Sequence, residues 1–226
     1  MNPNHVKTSS HLPATHSIQR RTLLAMGFAV SLLAGCGKSA KLSAIPPGKT
    51  VLAFGDSVTF GTGAASGEDW PNLLALKTGW KVVNAGVSGD TAENGKGRIQ
   101  ALLTAHNPAL VIIEIGGNDF LRRKPPKRVK EDIQEIIQTV LRFGAKTALV
   151  SVPELSLLGA LAGRPSDSDI FEELAREEGV PLVPNVFSDT LARPELCADK
   201  IHPNALGYEY MATGIYTQLQ KVGLAR

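Results

Sequence analysis

The sequence predicts an α/β fold built on a parallel, doubly wound sheet, and three observations lead there. Short β-rich apolar runs alternate with helical stretches along the chain. The first, third and fourth runs are largely apolar and lack the two-residue alternation of a half-exposed strand, which marks strands buried on both faces. Glycine-rich polar turns follow the first three runs, at the positions where strands of such a sheet deliver their carboxyl ends. Strands separated by helices imply right-handed crossovers and parallel neighbours.

The elements follow in order. Thr50 to Phe54 reads as the first strand, then a helix from Asp69 to Lys77, in which Trp70-Pro71 marks a helix start with a packed indole. A strand from Lys81 to Asn84 leads to a helix from Thr91 to His106, with His106 as a polar cap at a helix end before Pro108. Ala109 to Ile115 and Lys146 to Val152 are strands flanking a helix from Lys127 to Phe143. A helix from Asp167 to Glu178, a strand from Val180 to Val183 and a last helix from Pro203 to Val222 complete the body. Ligands of such sheets bind beyond the strand carboxyl ends, where Gly55-Asp56-Ser57, Gly86 to Asp90 and Gly116-Gly117-Asn118-Asp119 all fall.

Ahead of this body, residues 1–35 carry Lys7, Arg20 and Arg21, no acidic residue, and an apolar run from Leu23 to Leu33 ending in Leu33-Ala34-Gly35-Cys36. That layout is a signal peptide, since the run is shorter than the roughly 20 residues a bilayer span needs. It resembles the bacterial lipoprotein signal. The resemblance implies cleavage before Cys36, lipidation of that cysteine and an anchored, periplasm-facing protein. Gly37, in place of the aspartate that retains many lipoproteins at the inner membrane, points to the outer membrane. Arg20-Arg21 followed by Thr22-Leu23-Leu24 leaves twin-arginine export open beside the general route. Residues 36–49, with Pro46-Pro47-Gly48, read as a tether, and residues 50–226 as one domain of about 180 residues.

Lys7, Arg20 and Arg21 are the whole excess of 24 basic over 21 acidic residues, so the mature chain is near neutral and its charge gives no reason to expect nucleic acid as a partner. With Cys36 lipidated, Cys197 is the only remaining thiol, so no intramolecular disulfide is available.

Ser57 is delivered into a turn by an apolar strand, and Asp199-Lys200-Ile201-His202 stands near the far end of the chain. A serine nucleophile for acyl transfer needs a neighbouring base, and imidazole is the usual choice. His5, His11 and His16 fall in the leader, leaving His106 and His202, and elimination favours His202. Asp199, three residues earlier, can share one loop with His202 and hold its tautomer. Three groups could stabilise an oxyanion: the N–H groups of Ser57 and Gly89 and the amide of Asn118. Glycine at 89 allows a conformation and an approach that a Cβ would block. Asp119 reads as a helix cap, and Asp56 and Asp90 as organisers of turn N–H groups. Two other motifs fail on spacing: Thr59 stands where a Gly-x-Ser-x-Gly elbow needs glycine, and Ser66 where a dinucleotide loop would need its third.

Four blocks together carry a family resemblance: Phe54-Gly55-Asp56-Ser57 with Gly61, Asn84 to Thr91, Gly116 to Asp119, and Asp199 to Asn204. In that order they resemble the SGNH hydrolases of the GDSL esterase and lipase superfamily, nearest the bacterial arylesterase, lysophospholipase and thioesterase branch. The resemblance implies a three-layer α/β/α sandwich with a five-stranded, flavodoxin-like sheet. It also implies Ser57, Asp199 and His202 as catalytic residues, and Ser57, Gly89 and Asn118 as the oxyanion hole. Aryl esters, short to medium acyl esters, thioesters and lysophospholipids are the implied substrates, with water as acyl acceptor and neither cofactor nor metal. A leader for lipidation departs from the soluble periplasmic habit of that branch.

Pro153 to Gly163 follows the fourth strand, so Leu155, Leu157, Leu158 and Leu161 either line an acyl-binding groove or bury themselves in a core helix. Arg122 to Lys130 holds six positive charges in nine residues, either a solvated loop or a surface for anionic headgroups. An O-acetyl esterase acting on glycans remains an alternative for the same site, and a non-catalytic binding module an alternative of another class.

Overall fold

The computed structural model describes residues 42–154 and 165–226. Five parallel strands, β1 (Thr50–Gly55), β2 (Lys81–Gly86), β3 (Leu110–Glu114), β4 (Lys146–Val150) and β5 (Leu182–Val183), lie in the order β2-β1-β3-β4-β5. This is the flavodoxin-like doubly wound order, with the chain reversing direction across the sheet between β1 and β3. Every residue of β3 is buried, as is β1 from Val51 onward, whereas β2 at the sheet edge keeps Lys81 and Asn84 exposed. The unbroken apolar runs and the edge strand's mixed pattern have the same cause, burial on two faces against burial on one.

Helices cover both faces. On one, α3 (Ala92–His106), α5 (Pro126–Phe143) and α6 (Asp169–Glu178) pack in a row; on the other, α8 (Ala205–Lys221) packs against α2 (Trp70–Thr78) and α7 (Val186–Leu191). Two short helices, α1 (Ser57–Phe60) and α4 (Gly117–Leu121), begin just past the carboxyl ends of β1 and β3. In α5, Val129, Ile133, Ile136, Ile137 and Val140 recur at helical spacing and are fully buried, each worth roughly 1.5–3 kcal/mol of transfer energy. Asp69 caps α2 by accepting the Asn72 N–H at 3.0 Å, and Trp70 and Pro71 form its buried first turn.

The structure amends several expectations. Asn107, left-handed at φ 41°, ends α3, and His106 is only its last helical residue. Asp119 does not cap its own helix: it lies inside α4, fully buried, and accepts the Ala92 N–H at the start of α3 at 2.8 Å. Residues 42–49 are not a free tether. Leu42 and Ile45 donate to the carbonyls of Val222 and Leu224, and the buried Ile45 accepts the Trp80 indole N–H at 3.0 Å.

The basic run is a solvated loop in its first part only: Arg122 to Pro125 lie outside any helix and are exposed except for the half-buried Lys124, whereas α5 begins at Pro126. Lys124 meets Glu93, Asp119 and Asp132, Arg128 meets Glu131, and Lys130 meets Glu173 and Glu177. Arg122 donates to the Gly89 carbonyl. Leu155, Leu157, Leu158, Leu161 and Cys36 lie outside the described residues.

Candidate active site

β1 ends at Gly55, and Asp56 caps the short α1 by accepting the Val58 N–H at 3.1 Å, so Ser57 is the first residue of that helix. An N-terminal helical residue has no intrahelical partner for its N–H, which leaves that donor free for a ligand. Gly86 has no side chain because one could not exist there: a Cβ would stand 2.1 Å from the Phe60 nitrogen of α1.

His202 arrives from the other end of the chain. Its Nε2 lies 3.0 Å from Ser57 Oγ and its Nδ1 2.8 Å from Asp199 Oδ2. The second carboxylate oxygen of Asp199 accepts the N–H groups of Ile201 and His202, both at 2.8 Å. Burial alone would oppose ionisation of Asp199, but these bonds from His202 and Ile201 prevail and hold its carboxyl below its ordinary value. The loop is pinned as a small hairpin: Cys197 bridges Pro203, the Ala198 N–H donates to the His202 carbonyl, and the Asn204 N–H donates to Leu196. From α8, the buried Tyr208 donates its hydroxyl to the Thr62 carbonyl at 2.7 Å, tying this loop region to the turn after Ser57.

The remaining residues singled out by the sequence converge on the same cavity, about 250 Å³ in volume. Ser57, Gly89, Asn118 and His202 line it with Asp56, Thr62, Ser88, Val58, Leu121, Phe187 and Ile201. Gly89 adopts φ +81°, the left-handed region, and a Cβ there would meet nothing within 4 Å, so the requirement for glycine in the free enzyme is conformational rather than one of space. Asn118, the second residue of α4, donates its amide to the Asp90 carbonyl at 3.0 Å and to Asp56 Oδ2 at 3.3 Å.

Behind this surface lies a carboxyl to which the sequence reading gives no role. Glu114, at the end of β3, is fully buried and accepts the Thr59 hydroxyl at 2.7 Å through one oxygen; the other has no partner among the described residues. Burial first, and then the charge of Asp56, push the Glu114 carboxyl well above its usual range. Asp56 is itself pushed up to about 6 by burial, offset in part by the Val58 N–H, His202 and Asn118. An acidic residue inside the apolar run from Leu110 to Ile115 was the signal available, since such groups are almost never fully buried without a reason. Asp90 does not organise turn N–H groups with its side chain but pairs with Arg98.

The GDSL-like Lipase/Acylhydrolase family matches residues 53–210. The Escherichia coli K12 protein named thioesterase 1/protease 1/lysophospholipase L1 is 36% identical over 177 residues, covering 76% of this chain and 83% of that protein. An arylesterase of Vibrio mimicus is 32% identical over 179 residues, covering 76% and 88%. Among solved structures, the esterase EstA from a Pseudoalteromonas species, inhibited by monoethylphosphonate, superposes with a TM-score of 0.66 at 25% identity, covering 76% of this chain and 97% of that one. The sequence match and the five-stranded parallel sheet agree, and this chain belongs to the GDSL-like lipase and acylhydrolase family, the SGNH hydrolases, whose chemistry is serine-dependent ester hydrolysis.

Proposed function

We propose that the chain hydrolyses aryl esters and short to medium acyl esters or thioesters, lysophospholipids included, through an acyl-enzyme on Ser57. The observation that carries this reading is the hydrogen-bonded series Ser57, His202, Asp199 opening onto a cavity with apolar walls at Val58, Leu121, Phe187 and Ile201. His202 Nε2 takes the Ser57 proton as Oγ attacks the carbonyl, and Asp199 holds Nδ1–H and the imidazolium that forms. The Ser57 and Gly89 N–H groups and the Asn118 amide receive the developing oxyanion, which competes for the longer of the two Asn118 bonds. His202 returns the proton to the leaving alcohol or thiol, then activates water to release the acid. No step calls for a metal or cofactor.

A cavity of about 150 Å³ holds a benzene ring. The volume of about 250 Å³ therefore suits an aryl group or a short acyl chain. One wall carries hydroxyls, with Thr62 Oγ1 and Ser88 Oγ 3.2 Å apart, and this favours an O-acetyl group on a polyhydroxylated glycan as the second reading. The leader of residues 1–35, with Cys36 directly after it, supports a lipid-anchored protein facing the periplasm, on the outer membrane. Hydrolysis of p-nitrophenyl esters from acetyl to palmitoyl, beside Ser57→Ala, tests the proposal. Activity that peaks at short to medium chains and vanishes in the variant is the expected result. Activity confined to acetyl esters moves the assignment to the glycan reading, and activity retained without Ser57 overturns it.

A further inference from the structure

A single guanidinium joins the strand that leads to the nucleophile to the loop that carries Gly89. Arg98 projects from α3 and donates through Nη2 to the Gly55 carbonyl at 2.8 Å, two residues before Ser57. Nη1 donates to the Ala85 carbonyl at 2.8 Å, near the end of β2 and ahead of the loop that bears Gly89. Nε donates to Asp90 Oδ2 at 2.7 Å, and the Asp90 carbonyl is the acceptor that orients the Asn118 amide at 3.0 Å. The guanidinium carbon lies 4.2 Å from the centroid of the Phe54 ring, a residue buried in β1.

We propose that Arg98 is the positioning residue of the oxyanion hole: it fixes the loop from Gly86 to Asp90, and through Asp90 the amide of Asn118, relative to Ser57 without touching the substrate. The inference rests on the assignment of Ser57, Gly89 and Asn118 made above. Three acceptors arranged around one planar group, with an aromatic ring beneath it, suit guanidinium and not ammonium, because a lysine offers a compact charge on a flexible stem that cannot reproduce the fork. Donors aimed at an oxyanion contribute through preorganisation, so loosening their frame reduces turnover while leaving the substrate's ground-state contacts intact.

The test compares Arg98→Lys, Asn118→Ala and the double variant in p-nitrophenyl butyrate hydrolysis, with Asp90→Ala as a second way to open the clamp. Ser57→Ala serves as the reference for the ester-hydrolase reading. A misplaced catalytic frame costs on the order of 10²-fold, so kcat of Arg98→Lys falls by about that factor with little change in KM. In the Asn118→Ala background the same substitution costs only a few-fold, since coupled positions do not add. Asp90→Ala shows the same dependence on Asn118. Equal losses with and without Asn118 would make Arg98 a structural residue only, and a near-normal kcat in Arg98→Lys would likewise overturn the proposal. Wild-type activity abolished by Ser57→Ala keeps those failures separate from failure of the ester-hydrolase reading.

Discussion

Asp56 Oδ2 lies 3.3 Å from the Asn118 amide nitrogen, so the residue that caps the nucleophile helix also touches the side chain placed to receive the oxyanion. That contact makes the protonation of a buried carboxyl part of the site's electrostatics. Asp56 has an ordinary value of 3.8 and is pushed up to about 6, chiefly by burial.

A carboxyl raised in the folded state keeps its proton where the unfolded chain has released it, so its contribution to stability falls as pH rises through that interval. Asp56→Asn retains a capping side chain and removes this proton linkage. The variant therefore gains stability relative to wild type between about pH 4 and pH 6, by up to about 3 kcal/mol if the whole shift is relieved. Thermal unfolding of both proteins across that range measures it, and a difference independent of pH contradicts the assignment. Asp199, held below its ordinary 3.8, acts with the opposite sign and below this interval.

His202→Ala abolishes turnover, whereas His106→Ala remains near wild type. His106 ends α3, which returns the chain toward the start of β3, at the opposite edge of the sheet from Ser57. Steady-state rates of the two variants decide the point, and comparable losses in both would remove His202 from its role as base.

Asn118→Ala lowers kcat by about 10²- to 10³-fold with a smaller effect on KM, as expected when a transition-state donor is deleted. Gly89→Ala acts by a different route, since alanine at φ +81° costs about 1–2 kcal/mol and withdraws the N–H from its aim. A change confined to KM in either variant would identify a substrate contact and not an oxyanion donor.

Cys36→Ser abolishes labelling by a clickable fatty acid in cells that express the full chain. Persistent labelling would place the acyl group elsewhere.

The strands and the four sequence blocks were legible for one reason: strands buried on both faces must be apolar throughout, and the turns that follow them must use glycine, serine, asparagine and aspartate. The short helices were not. Ser57–Phe60 spans four residues and Gly117–Leu121 five, too few for a 3.6-residue period to register. Arg98 left no trace because two of its acceptors are backbone carbonyls, which every residue possesses. The pairing of Lys130 is hidden for a related reason, since its partners Glu173 and Glu177 come from α6, more than 40 residues away. Glu114, by contrast, stands out in the sequence as an acid within an apolar strand.

The pairing of Leu42 with Val222, and of Ile45 with Leu224, sets the chain's entry into the domain beside the end of α8, ahead of β1 and thus at the edge of the sheet farthest from Ser57. A fusion partner or a solid support coupled upstream of Leu42 would therefore join the domain at the end of the strands opposite the one that delivers Ser57.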